Sequence, residues 1–352
     1  MSVQAMGMAA AAAGGGSITD GQGARTVILE YLAERRPQDA AETEVVPLSG
    51  DASTRRYYRL VDTDRRYVLA LYPEPFDPEA LPFLTVGALL GEYGLPVPAV
   101  VDVDGPRGIV LQEDLGDCTL QEALGGSGEG RTADLYQAAV DEIALLQQKA
   151  AVGPQKAECF RIAFDIEKLS WELHYFQKHF LEGHRGCDLS VEDRATLSQS
   201  FHVLSEEIAS WPRVLCHRDY HSRNLMLFAG ELFWIDFQDA RMGPATYDLA
   251  SLLRDAYVDV AEELQEELRE RFRQKAVPGE TRDVFRRRFD MMCVQRNLKA
   301  LGTFGFMASV RGKEVYLPYI PRTLAHARRN LSRYPGLEQL WRTLARHVPE
   351  LE

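Results

Sequence analysis

Three polar residues near the middle of the chain have the side-chain types and the spacing to carry out chemistry. Asp219 and Asn224 stand five positions apart in the polar run 217–226, and Asp236 follows on an apolar segment. Phosphoryl transfer needs a carboxylate that orients the attacking hydroxyl and oxygen ligands that hold a divalent metal on the phosphates. The spacing therefore predicts a catalytic loop in which Asp219 faces the acceptor and Asn224, with Asp236, holds the metal.

The elements around these residues change in kind along the chain. Short runs of apolar and β-branched residues predict strands in the first third, and a polar, glycine-bearing stretch at 49–54 predicts a hairpin turn. The strand pattern stops at the polar stretch 113–117, after which helical patterns dominate. The predicted elements of the first third are a helix at 27–35, strands at 44–48, 56–61 and 67–71, a helix at 81–93, and strands at 97–102 and 108–112.

Two later segments have helical periodicity. In the segment 166–180, apolar residues recur at intervals of three and four and predict one buried stripe, with Glu172 and His179 on its flank. A second helix is expected after the metal-binding segment, with Asp248 and Asp255 aligned at one edge of its apolar face. Asp248 is expected to brace the catalytic loop through hydrogen bonds, whereas Asp255 fits an ordinary exposed carboxylate equally well.

Composition limits the class of protein. The chain has 352 residues, 45% of them hydrophobic, and a net charge of -12, which argues against a nucleic-acid or anionic-membrane partner. Its five cysteines are scattered and form no paired metal-ligand spacing, so a reducing cytoplasmic location is expected. The small-residue tract at 1–23 lacks the features of a signal peptide and is interpreted as a disordered tail.

The phosphate-binding elements differ from those of protein kinases. No Gly-x-Gly-x-x-Gly precedes the catalytic loop, the strand at 67–71 contains no lysine, and the run from 236 to 248 is too short for an activation loop. Ser53 and Thr54, with Arg55, are therefore expected to hold the nucleotide phosphates from the first hairpin. A plain surface turn is the alternative for this segment.

Several segments resemble a known group of enzymes. The runs 217–226, 235–240 and 243–249 are similar to the aminoglycoside phosphotransferase and choline kinase superfamily, and the runs 51–57, 217–224, 247–255 and 295–302 resemble the bacterial anomeric N-acetylmuramate/N-acetylglucosamine kinases. The resemblance implies an α+β, two-lobed, protein-kinase-like fold of the aminoglycoside phosphotransferase type. It implies a small β-rich N-terminal nucleotide-binding lobe at 24–115 and a larger, mainly α-helical catalytic and sugar-binding lobe at 116–352.

The same resemblance implies an activity and its cofactors. ATP, with Mg²⁺, would phosphorylate the anomeric hydroxyl of the amino sugar, and a uridylyltransferase would then take the sugar 1-phosphate during cell-wall recycling. Asp219 would be the catalytic base, and Asn224 and Asp236 the magnesium ligands. A carboxylate that orients the acceptor and two ligands that hold the metal suit these roles physically as well. His217 would support the loop together with Asp248.

Nucleotide and sugar contacts are less strongly indicated. The adenine is expected near the connection between the lobes, at Glu113 and Leu115. N-acetylmuramate carries a carboxylate that a guanidinium would bind well, and His221 could reach a sugar hydroxyl. The candidate cations are Arg218, Arg223, Arg241, Arg254, Arg296 and Lys299, of which Arg223 and Arg296 are preferred, although each could instead pair with the acids around the metal.

Two alternatives keep the fold but change the function. The acceptor could be an aminoglycoside, a choline-like amine or another sugar, in which case an acidic pocket is expected instead of arginines. A pseudokinase that binds nucleotide without transferring phosphate would explain the missing strand lysine, but the intact Asp219, Asn224 and Asp236 argue against it.

Overall fold

The structure of the protein is a computed structural model that describes residues 21–37, 43–48, 55–63, 65–126 and 128–352. The chain divides into two compact units. The first contains the described residues up to Leu81 together with Ala99–Asp114, and the second contains Pro82–Pro98 and Leu115–Glu352. The segment Pro82–Pro98 thus packs with the helical unit, whereas the sequence had placed it within a continuous lobe at 24–115. The functional assignment of the lobes stays a prediction.

The first unit is an antiparallel five-stranded sheet with one helix. Its strands lie in the order β1, β2, β3, β5, β4, so the chain crosses once within the sheet. The predicted strands at 44–48 and 56–61 have the observed bounds, and the others begin or end within three residues of the prediction. The elements are α1 (Gly21–Arg35), β1 (Glu44–Leu48), β2 (Arg56–Val61), β3 (Arg66–Leu71), β4 (Val100–Asp104) and β5 (Ile109–Glu113).

The core of the first unit follows from two periodicities. In α1 the buried positions 24, 28, 31 and 32 repeat at helical spacing and form one stripe, while the sheet contributes residues that alternate in and out. A fully buried helix stripe over a sheet face removes both apolar surfaces from water. The buried cluster consists of Ala24, Ile28, Tyr31, Leu32, Tyr58, Leu60, Leu69, Leu71, Ile109 and Leu111.

Two expectations for this unit need correction. The helix begins at Gly21, so residues 21–23 belong to α1 and not to the predicted tail, and residues 1–20 lie outside the described residues. β4 begins at Val100, three positions later than predicted. Pro96 and Pro98 lack the backbone N–H groups that a strand ladder requires, which accounts for the later start.

The second unit is mainly helical, and its described residues also form two small two-stranded sheets. β6 pairs with β9 and β7 pairs with β8, both antiparallel. The described part of the chain contains no helix that is long and apolar enough to cross a membrane. The elements are α2 (Pro82–Glu92), α3 (Leu120–Leu124), α4 (Glu129–Val152), α5 (Ile166–Phe176), α6 (Val191–Ala209), β6 (Arg213–Cys216), β7 (Leu225–Phe228), β8 (Glu231–Trp234), β9 (Arg241–Pro244), α7 (Tyr247–Leu253), α8 (Glu262–Ala276), α9 (Arg282–Ser309), α10 (Ile320–Leu331) and α11 (Glu338–His347).

The long helix α9 packs closely against α5 and the π-helical turn Gln177–His184 that continues it. A methyl group added at Gly302 would lie 2.8 Å from Cα of Phe176, and one added at Gly305 would lie 2.7 Å from the carbonyl carbon of His179. Only glycine permits such close approach of two backbones. These contacts fix the position of α9 against α5 and the π-helical turn.

Two helices differ from their predicted form. The apolar stripe at 166–180 is buried as expected except at Ile166, which is 39% exposed, and the helix is π-helical after Phe176. Glu172, expected on its flank, is 1% exposed. α7 ends at Leu253, so Asp255 lies beyond it and is not aligned with Asp248 on one helix. The Arg254 backbone, with φ -116° and ψ 38°, leaves the helical region and ends the helix there.

Candidate active site

The loop at 217–224 joins β6 to β7 and is anchored by aromatic packing. The rings of Tyr220 and Trp234 meet edge to face with centroids 4.7 Å apart, and the His217 ring lies 5.5 Å from each. The Tyr220 hydroxyl donates a hydrogen bond of 3.0 Å to the carbonyl of Ala139 on α4. Buried aromatic rings with satisfied polar ends hold the loop in one conformation.

Asp219 lies at the centre of a cluster of cations. Its Oδ1 is 3.1 Å from Lys299 Nζ and 3.6 Å from Arg296 Nη2, both from α9, and its Oδ2 is 3.7 Å from Nε of Arg218. The Asp219 side chain is 21% exposed, so a small molecule can reach it. The carboxylate is therefore accessible, and nearby cations balance its negative charge.

These cations decide the protonation state of Asp219. Burial acts to raise the pKa of the carboxyl group, but Lys299, Arg218 and Arg296 outweigh it and hold the pKa well below its usual range. Asp219 is consequently ionised at neutral pH and a weak proton acceptor. Such a group orients an acceptor hydroxyl and takes its proton late in phosphoryl transfer.

Two carboxylates hold the loop through its backbone. Asp248, at the start of α7, accepts hydrogen bonds from the backbone N–H groups of His217 (2.7 Å) and Arg218 (3.0 Å). Asp255 accepts one from Ser222 (2.9 Å). Both carboxylates are at least 98% buried and sit where the loop would otherwise bury unpaired N–H groups. Burial raises the pKa of Asp248 to about 6 despite its two hydrogen bonds.

His217 connects Asp219 to the segment that carries Asp236. Its Nδ1 accepts a hydrogen bond of 3.3 Å from the Asp219 N–H, and its Nε2 lies 3.0 Å from the carbonyl of Ile235. Burial lowers the pKa of His217 to about 4, so the ring is neutral, with Nε2 as the donor to that carbonyl. The imidazole therefore fixes the spacing between the loop and the strand that follows.

Asn224 is a neighbour of the segment that carries Asp236. The Ile235 N–H donates to the Asn224 carbonyl at 3.1 Å, and the Asn224 Nδ2 donates to the Asp219 carbonyl at 2.8 Å, which assigns its Oδ1 to the other side. Asp236 has a φ of 62°, a left-handed conformation that Asp tolerates. An amide oxygen and a carboxylate are hard ligands that fit Mg²⁺, which takes its remaining ligands from phosphates and water.

The predicted nucleotide contacts are only partly within the described residues. Ser53 and Thr54 lie outside them. Nη1 of Arg55 is 3.4 Å from the hydroxyl of Tyr72, which directly follows β3. Glu113 ends β5, where one carboxylate oxygen accepts the N–H of Ala99 at 3.2 Å, whereas Leu115 is buried in the second unit.

The predicted sugar contacts have protein partners in the second unit. Arg223 donates to Gln121 (2.8 Å) and Tyr319 (2.6 Å). Arg296 is 8% exposed and donates to the Tyr247 hydroxyl at 2.7 Å. His221 lies beside Asn224, with a ring nitrogen 3.4 Å from its Nδ2, and burial lowers its pKa. Their contact with a sugar stays a prediction.

Two charged residues near the site had no specific partner in the sequence analysis. Lys299 was a candidate for the substrate carboxylate or for a salt bridge with the acids around the metal, and its spacing of three from Arg296 puts both on one face of α9. Glu142 was not considered. Its Oε2 accepts from Trp234 Nε1 at 2.7 Å and lies 3.3 Å from the Tyr220 hydroxyl, and burial raises its pKa to about 7.

Comparison of the sequence with known proteins shows the family to which the chain belongs. The model of the family described as "Phosphotransferase enzyme family" matches residues 44–286. The chain belongs to the phosphotransferase enzyme family. This phosphotransferase is 34% identical over 308 residues to an N-acetylmuramate/N-acetylglucosamine kinase of Pseudomonas aeruginosa, with 86% of this chain and 88% of that protein covered. It is 35% identical over 311 residues to one of Neisseria meningitidis, with coverage of 86% and 90%.

Solved structures show the fold of this phosphotransferase. A choline kinase from Streptococcus pneumoniae superposes with a TM-score of 0.58 at 14% identity and covers 90% of this chain and 99% of its own. A microcompartment-associated aminopropanol kinase superposes with a TM-score of 0.60 at 18% identity, with coverage of 90% and 99%. The predicted α+β fold of the aminoglycoside phosphotransferase type is confirmed.

Proposed function

We propose that this phosphotransferase transfers the γ-phosphoryl group of ATP to the anomeric hydroxyl of N-acetylmuramate and N-acetylglucosamine. The observation that carries the proposal is the identity of 34% and 35% to two kinases of that name over 86% of this chain. An accessible carboxylate with two adjacent metal ligands supplies the chemistry that such a transfer needs.

Asp219 assists a single displacement at the γ-phosphorus of ATP. The Asp219 carboxylate accepts a hydrogen bond from the anomeric hydroxyl and aims its oxygen at the γ-phosphorus. A bond forms between that oxygen and phosphorus, the bond to the β-phosphate oxygen breaks, and the hydroxyl proton passes to Asp219. ADP and the sugar 1-phosphate are the products. Because its pKa is depressed, Asp219 releases the proton to solvent readily.

The proposed nucleotide contacts come from several segments of the chain. Asn224 and Asp236 hold Mg²⁺, which neutralises charge on the phosphates. Ser53, Thr54 and Arg55 take the place of the missing strand lysine at the phosphates. The adenine lies near Glu113 and Leu115.

The acceptor sugar lies beside the catalytic loop. His221, Arg223 and Arg296 are proposed to line its site, since all three stand within or next to the residues that hold Asp219. The chain acts in the cytoplasm, and a uridylyltransferase consumes the sugar 1-phosphate in the recycling of cell-wall amino sugars.

Phosphorus NMR of the purified protein with Mg²⁺, ATP and either sugar tests the proposal. We expect an anomeric sugar phosphate to appear together with ADP. Asp219→Asn should reduce kcat/KM by a factor of about 1,000 or more while ATP binding is retained, because the amide cannot take the proton. The exposed Asp259→Asn is the matched control and should retain activity.

Other outcomes have defined meanings. ADP without a sugar phosphate would show that the acceptor is a different molecule. Nucleotide binding without any turnover would identify a pseudokinase. An Asp219→Asn protein with near-normal kcat/KM would remove Asp219 from the mechanism.

A further inference from the structure

The two proposed acceptors differ by one charge. N-acetylmuramate carries a lactyl carboxylate that N-acetylglucosamine lacks. A site that accepts both needs a cation that can pair with the carboxylate when it is present. The same cation must not be left buried and unpaired when it is absent, since an unpaired buried charge is costly.

Most cations near the loop are already held by other groups. In the part of the chain that the structure describes, each of the five arginines considered for this role has a hydrogen-bond acceptor other than the Asp219 carboxylate. A guanidinium held by such an acceptor has less freedom to move toward a ligand carboxylate than an ammonium group on a flexible side chain. The pairs are Arg218 with Asp239 (2.5 Å), Arg223 with Tyr319 (2.6 Å), Arg241 with the Asp239 carbonyl (3.2 Å), Arg254 with Glu262 (3.3 Å) and Arg296 with Tyr247 (2.7 Å).

Lys299 differs from these arginines. Among the described residues, the hydrogen bond of its Nζ goes to Asp219, at 3.1 Å. Its side chain is 20% exposed, close to the 21% of Asp219, so both side chains are partly accessible. The ammonium group of a lysine can change position while the apolar part of its side chain keeps its packing contacts.

Movement of Lys299 would not leave the Asp219 carboxylate without a cation nearby. Arg296 Nη2 remains 3.6 Å from Asp219 Oδ1, anchored on Tyr247, and Arg218 Nε remains 3.7 Å from Oδ2. Two cations therefore continue to neutralise Asp219. When the acceptor is neutral, Lys299 keeps its own partner in Asp219.

We propose that Lys299 is the specificity-determining residue for acidic acceptors: it leaves Asp219 to pair with the lactyl carboxylate of N-acetylmuramate, and stays with Asp219 when N-acetylglucosamine is bound. This inference rests on the proposed function. It assigns the discrimination between the two sugars to an exchange of partners by one ammonium group.

The test compares three acceptors: N-acetylmuramate, its methyl ester and N-acetylglucosamine. The ester keeps the shape of the lactyl group and removes its charge. We expect the wild-type protein to prefer the acid over the ester in kcat/KM, and Lys299→Met to lose about 10- to 100-fold of that preference, mainly through a higher KM for the acid. Lys299→Arg should retain part of it, and Lys275→Met, which removes an exposed lysine paired with Asp141, should retain all of it.

Several results would overturn the inference while leaving the function intact. One is a wild-type protein that phosphorylates acid and ester with equal kcat/KM, which needs no variant to observe. Another is a Lys299→Met protein in which all three acceptors lose the same factor, because Lys299 would then only position Asp219. Absence of any phosphorylated sugar with the wild-type protein would instead reject the proposed function itself.

Discussion

At the scale of single residues, the site works by fixing charges before the substrate arrives. Asp219 is ionised because three cations surround it, and its backbone is held by the neutral ring of His217. Preorganised charges of this kind stabilise a transition state without reorganisation during the reaction. Activity should therefore depend more on the positions of Arg218 and Arg296, which stay beside Asp219 with either proposed acceptor, than on the intrinsic basicity of Asp219.

Glu142, beneath the loop, should make the stability of the protein depend on pH. Its folded-state pKa of about 7 lies above the unfolded value of 4.5. A raised pKa means that the folded state binds the proton more tightly, so this stabilising contribution is present below pH 4.5 and lost as pH rises through 7. Glu142→Gln should raise the free energy of unfolding relative to wild type, by up to about 3 kcal/mol at pH 8 and far less at pH 5.

Denaturant unfolding at the two pH values measures this effect. The exposed Glu263→Gln is the control and should change stability equally at both. A Glu142→Gln protein with the same difference from wild type at pH 5 and pH 8 would show that Glu142 does not titrate in this range.

At the scale of elements, the position of α9 determines where two of the cations near Asp219 lie. It carries Arg296 and Lys299, and its glycines let it lie against the backbone of α5 and the π-helical turn. Because a helix is rigid over this length, a shift at one end of the contact moves the charged face as well. Asp248 and Asp255 also hold the loop, because their carboxylates accept hydrogen bonds from its backbone N–H groups.

Gly305→Ala tests the role of this contact. Its new methyl group would lie 2.7 Å from the His179 carbonyl carbon, so α9 must move away. We expect a loss of about 1–3 kcal/mol in stability, measured by thermal unfolding, and a lower kcat/KM in the fraction that stays folded. Gly91→Ala in α2 meets nothing within 4 Å and should be neutral or stabilising by up to about 1 kcal/mol. Normal kcat/KM in a destabilised Gly305→Ala protein would show that the position of α9 does not limit catalysis.

At the scale of the whole molecule, nucleotide and metal should stabilise the folded state together. ATP with Mg²⁺ at about 100 times its dissociation constant is expected to add about 2.7 kcal/mol, seen as a higher midpoint in thermal unfolding. Removal of Mg²⁺ with a chelator should abolish most of that rise. Asp236→Asn should do the same at moderate Mg²⁺, because it weakens one of two proposed metal ligands. An equal rise with and without Mg²⁺ would contradict the assignment of Asn224 and Asp236.

The fold was predictable largely because its signals are local. Alternation within runs of five or six residues gave the strands, as in β1 and β2, and the stripe at 166–180 gave α5. The errors occur where a local pattern continues past a tertiary boundary. The pattern from Leu249 to Tyr257 predicts one apolar helical face, yet α7 ends at Leu253. Beyond that end, the Asp255 carboxylate accepts hydrogen bonds from the N–H groups of Ser222 and Tyr257.

The sequence by itself determined which groups could do the chemistry, since Asp219, Asn224 and Asp236 lie close along the chain and a short loop and strand keep them close in space. Only the tertiary structure decided their surroundings. Lys299 reaches Asp219 from 80 positions away, and Glu142 meets Trp234 from another helix. Such pairs depend on how α4, α5 and α9 pack, and spacing along one chain carries no information about distances between separate elements.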